Sequence, residues 1–129
     1  MKAQNLTPNI RTVIQEFLEI FAVPEVAPEN IFYGNQNNLA LPPEGNDYVI
    51  YSYISSVRHG TSAEDWEKDQ TDDNVYLSTT IEVLVQVDCY ASTLNGSDGM
   101  NAMLRAQALE TVCRSQVGVQ FFVDRGISL

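Results

Sequence analysis

Basic residues are scarce in this sequence: seven lysines and arginines stand against seventeen acids, for a formal charge of −10. A protein that grips nucleic acid regardless of sequence needs Lys and Arg to displace phosphate counterions, so the balance argues against that class. The same balance suits a surface that DNA passes without sticking, and it also serves plain solubility. Histidine occurs once, as His59, with no Ser or Cys pattern around it from which a triad can be assembled. The two cysteines, Cys89 and Cys113, lack metal spacing and sit among apolar neighbours; they read as reduced core residues of an intracellular protein. Long apolar runs are missing too. None approaches the ~18 residues of a membrane span, and "MKAQNLTPNI" has no signal-peptide core. Neither "GNQNN" nor "NGSDGMN" has the basic residue or the strand–glycine–helix setting of a phosphate loop.

What is present describes an ordered domain. The length of 129 residues suits one core, and 44% apolar against 19% charged residues excludes a largely disordered chain. "TPNIRTVIQEFLEIFAV" reads as a helix with Thr7 as cap and Pro8 in the first turn. Its stripe is Ile10, Val13, Ile14, Phe17, Leu18 and Phe21, and "VPEVAP" ends it. Ile31, Phe32 and Tyr33 suggest a short strand before a Gly-, Asn- and Pro-rich loop. Residues 48–59 and 75–92 read as two strands of one hairpin. In the second, Val83, Val85 and Val87 share a face expected to be buried against Phe17 and Leu104, while Glu82, Leu84 and Gln86 share the wetter one. At ~3.3 Å per residue that strand approaches ~50 Å, long enough to project from its domain as an arm. "NGSDGMNAMLRAQALETVCRS" reads as a second helix, capped by Ser97, with Met100, Met103, Leu104, Ala108, Leu109 and Val112 as its apolar face. "QVGVQFFVD" suggests a strand and "RGISL" the start of another. The expected fold is α+β: an antiparallel sheet carrying a long β-hairpin arm, with two helices packed on one face.

Between the hairpin strands, Thr61–Asp73 holds six carboxylates, Lys68 and the only tryptophan. A calcium loop needs alternating oxygen ligands around a central glycine, which "DWEKDQTDDN" lacks. A two-metal site needs carboxylates on rigid elements. The stretch therefore reads as a solvated loop or a partner contact. Trp66 favours the partner, because an indole on a polar loop suits docking on another surface, although it can also fold back on its own domain. The candidate interface is Glu64, Asp65, Trp66, Glu67, Lys68, Asp69, Asp72 and Asp73. No catalytic, cofactor-binding or metal-ligating residue is assigned. A small hydrolase would need His59 beside Ser55 or Ser56, yet Ser55 lies about 13 Å from His59 along a strand.

The opening helix, "NIFYGNQNNLALPPEGNDYVIYSYIS", the loop-bearing hairpin into "STTIEVLVQVDCYAS" and the helix "GMNAMLRAQALETVCRS" together resemble the tail-terminator, or neck, proteins of long-tailed phages and prophages. The resemblance covers residues 1–129 as one neck domain. It implies a non-enzymatic structural virion protein that forms a homo-hexameric ring. The ring would cap the tail tube, offer the surface for head joining, and let DNA pass without specific binding. Its implied partners are its own copies, the tail tube protein and a head-completion or connector protein. It would occupy host cytoplasm during assembly and the virion afterwards, with no membrane. The stop at "RGISL" comes where a further strand is expected, so a missing C-terminal portion is part of that expectation. The reading from another class is an adaptor module that binds one head–tail connector or host protein through the hairpin.

The loop reading generates a direct test. Calorimetric titration with calcium or magnesium is expected to show nothing tighter than the millimolar range of loosely held ions. A micromolar site involving Asp65, Asp69, Asp72 or Asp73 would overturn it.

Overall fold

The computed structural model of the chain describes residues 9–35, 40–66, 75–94 and 98–129, with side chains omitted over 59–66 and 75–79. Its elements run α1 (Ile10–Phe21), β1 (Ile31–Tyr33), β2 (Tyr48–Trp66), β3 (Val75–Tyr90), α2 (Met100–Cys113) and α3 (Gln116–Val123), with a short 3-10 turn at Pro28–Asn30. Two compact units result. One comprises residues 1–52 and 87–129; the other is a two-stranded ribbon, residues 53–86.

Helix α1 begins where Asn9 caps it, its side chain accepting from the Thr12 amide at 3.2 Å. The expected caps Thr7 and Ser97 lie outside the described residues. Val13, Phe17 and Leu18 form the buried stripe of α1. Val26, Ile31, Val49, Tyr51, Leu109, Phe121 and Phe122 are also buried in the first unit. The rings of Phe17 and Phe122 stand 4.8 Å apart, and those of Phe21 and Phe121 5.6 Å. Arg125 secures this cluster: its guanidinium lies 3.6 Å from the Phe121 ring centre and donates to Glu16 at 3.1 Å.

The sheet is α+β in setting but mixed rather than antiparallel. The order is β1-β2-β3, and β1 runs parallel to β2 with Ile31 opposite Val49 and Tyr33 opposite Tyr51. A parallel pair needs a crossover of about a dozen residues or more, and the Gly- and Pro-rich segment 34–47 has that length. The long hairpin is present as β2 and β3. Tyr48 and Tyr90 stack near its start, with ring centres 4.7 Å apart.

The stretch expected as a last strand is a third helix, α3. Alternation of Val117 and Val119 suggests a strand, but Phe121 and Phe122 are both buried, which a half-buried strand does not permit. Ser115 starts the helix by accepting from the Gly118 amide at 3.3 Å. "RGISL" continues as a turn and coil, not a strand.

Gly118 is where α3 meets the end of α2. A Cβ there would run into the Val112 carbonyl, a backbone group that cannot rotate away. Alanine would improve helix propensity by about 0.5–1 kcal/mol, against about 1–3 kcal/mol for overpacking. Gly118→Ala is therefore expected to lower stability by about 1–2 kcal/mol in urea unfolding. A variant as stable as wild type would mean the approach is looser than described.

Candidate functional site

Arg105, on α2, is the one charged residue counted as buried among the described residues, at 2% exposure. Its Nη1 donates to Asp47 Oδ2 at 2.7 Å, and its remaining donors reach the carbonyls of Pro24 and Glu25. Asp47 also accepts from the Ser92 amide at 2.8 Å and from Asn101 at 3.3 Å. One guanidinium and one carboxylate thereby join the turn after α1, the residue before β2, the second residue after β3, and α2. Burial alone would raise the Asp47 carboxyl. The bonds from Ser92, Arg105 and Asn101 outweigh it and hold the carboxyl below its ordinary value. An open cleft of about 420 Å³ lies against this cluster, bordered by Glu25, Asn30, Asn46, Asp47, Asn101 and Arg105. Asp47 accepts from Ser92, Arg105 and Asn101 together, so its carboxylate holds these segments in place.

The arginine sets the rotation of α2. With Asn101, Arg105 and Leu109 turned inward, Met100, Met103 and Leu104 are 43%, 47% and 44% exposed. The face expected to be core is thus split: Met100, Met103 and Leu104 face outward, whereas Leu109 is buried and Ala108 and Val112 are half-buried. Sequence reasoning chose the stripe with more carbon and passed over Arg105. The legible signal was the spacing of Asn101, Arg105, Leu109 and Val112 along one helical side. Cys89 and Cys113 are free and half-buried, with both thiols pushed up by burial.

The ribbon presents the other prominent surface. Ile54 and Val57 lie on opposite faces of β2, as Ile81 and Leu84 do on β3, and each is more than half exposed. Val83 and Val85 are half-buried and Val87 is 37% exposed, so the expected burial against Phe17 and Leu104 is not realised, Leu104 being exposed itself. The alternation points the expected way within the ribbon, since Glu82, Leu84 and Gln86 are the wetter set. Strand β2 continues to Trp66, so Glu64, Asp65 and Trp66 belong to a strand and not to the loop. Glu67, Lys68, Asp69, Asp72 and Asp73 lie outside the described residues, as do the side chains of Glu64, Asp65 and Trp66. Ser55 and His59 both fall within β2, so extended spacing separates them by about 13 Å.

A long hairpin on a small α+β unit is what the tail-terminator resemblance implies, and comparison decides the matter. A family model described as phage neck terminator protein matches residues 9–129. The chain belongs to that family. Nothing matches it among the curated proteins or the solved structures. Membership in the neck terminator family implies a place in the virion and contact with other head–tail proteins. No helix among the described residues is long and apolar enough to cross a membrane.

The Arg105–Asp47 pair generates a stability prediction for this neck terminator fold. Arg105→Met is expected to cost about 3 kcal/mol, the low end for breaking a buried pair, because Asp47 keeps 18% side-chain exposure. In the pH dependence, a carboxyl lowered in the folded state stabilises fully above its unfolded value of about 3.9 and loses that contribution as pH falls through the lower folded value. Chemical unfolding from pH 6 down to 2 should therefore show a shallower acid loss in Asp47→Asn than in wild type. Parallel acid profiles would remove Asp47 from this role.

Proposed function

We propose that the chain is a tail terminator: a structural protein whose copies form a hexameric ring that caps the tail tube and offers the surface to which the filled head is joined. Family membership supports the neck assignment, and the observation that carries the ring is the ribbon. Two strands by themselves are marginal in water, yet this one shows apolar side chains on both faces. Such a surface is explained by cover from other subunits, and a ring needs one surface on each copy that meets a different surface on the next. The tail tube protein and a head-completion or connector protein would contact the two sides.

In this reading the strand end and loop, Glu64 to Asp73, form a contact between subunits or with a neighbouring neck protein, with Trp66 as its anchor. The acids stay in water or face the channel. There they would repel passing DNA, consistent with the shortage of basic residues. The role is scaffolding and asks for no catalysis.

Deleting residues 62–73 and closing the hairpin with Asn-Gly, which suits a two-residue turn, should leave the subunit folded and weaken ring formation or head joining. Trp66→Ala should weaken assembly in the same direction by about 2 kcal/mol, as an anchor would. Assembly at wild-type levels in the deletion variant would move the interface to the helices or elsewhere on the sheet.

A further inference from the structure

Strand β1 borders β2 only across Val49–Tyr51. From there to Trp66, no further strand among the described residues borders that edge of β2. Strand β3 ends the sheet order, so its outer edge is likewise bordered by no described strand along Val75–Tyr90. Among the described residues the ribbon therefore carries two open edges, one on each strand. The β3 edge has little of the usual protection, Glu82 being its one charge between Thr80 and Val87. From Thr80 to Val87 the sequence "TIEVLVQV" has no proline, glycine or lysine, and long apolar edges of this kind pair with any strand that fits.

We propose that neighbouring copies join edge to edge, β3 of one copy hydrogen-bonding to β2 of the next. This inference rests on the ring reading above and names the surfaces that would make the ring. The choice of occupant follows from counting edges. A foreign strand satisfies one edge and leaves the other open. Two-fold pairing of β3 with β3 leaves both copies of β2 open. Head-to-tail pairing of β3 with β2 uses both edges of every copy, repeats without change, and closes with none left over. Strand direction agrees. Within the ribbon β2 and β3 run antiparallel, and rotation about a ring axis along the strands keeps every copy of each strand pointing the same way. The junction between copies is then antiparallel as well, and a closed ring contains a continuous barrel with twice as many strands as subunits. Apolar side chains on both ribbon faces gain cross-strand neighbours at each junction.

Residue-resolved amide exchange on the assembled wild-type protein, prepared with the tail tube protein if needed, tests this. In a ribbon with open edges, every second amide along 53–58 and 80–86 points away from its partner strand and exchanges near solvent rates. With both edges paired, those alternate amides should slow at least about tenfold on both strands. If rings form and the alternate amides stay fast, edge pairing is wrong while the ring reading stands. If only β3 slows, head-to-tail pairing is wrong and a β3–β3 or foreign-strand contact replaces it. If no ring forms even with tube protein present, both readings fall.

Discussion

A guanidinium buried to 2% exposure has to have its donors met, and that requirement organises the first unit of this protein. Arg105 cannot be satisfied by one neighbour. It needs the carbonyls of Pro24 and Glu25 and the carboxylate of Asp47, which in turn holds Ser92 and Asn101. Segments far apart in sequence must therefore be in place together. Asp47 precedes β2 by one residue and Ser92 follows β3 by two, so the same cluster ties together the two residues that flank the hairpin within the first unit. The cost is borne on α2. Keeping Arg105 inside turns Met100, Met103 and Leu104 outward, and an apolar surface of that kind on a neck protein is available for assembly.

Much of the architecture was legible because it rests on periodicity. The α1 stripe, the short strand at Ile31–Tyr33 and the two hairpin strands follow from spacing and side-chain type, and the α+β class follows from their order. What escaped depends on tertiary context. The parallel sense of β1 is set by where the 34–47 crossover delivers the chain, not by any residue in β1. In α3, β-branched residues outweighed the Ser115 cap and the adjacent phenylalanines. On α2, a polar side chain facing inward is visible only once its partners are known, because Asp47, Pro24 and Glu25 lie at least 58 residues away in sequence. The candidate interface was legible as an unusual composition. Composition did not show that Glu64, Asp65 and Trp66 extend β2.

The ribbon and the core answer different physical demands. The core satisfies its buried charge and packs its rings internally, whereas the ribbon leaves apolar faces and strand edges unmet among the described residues. That division suits a subunit that folds by itself and completes its burial on assembly. A net charge of −10 fits the proposed role, because like charge on the protein and on DNA phosphates disfavours binding.

The claim at the centre of this account is that the chain assembles with itself into a closed ring. Sedimentation of the purified protein, with and without the tail tube protein, together with negative-stain images of the particles, tests it most directly. A discrete species of six copies, seen as an annulus with a central opening, is the predicted result. A protein that remains a monomer or an isologous dimer in both conditions would contradict it and return the hairpin to the role of an adaptor arm.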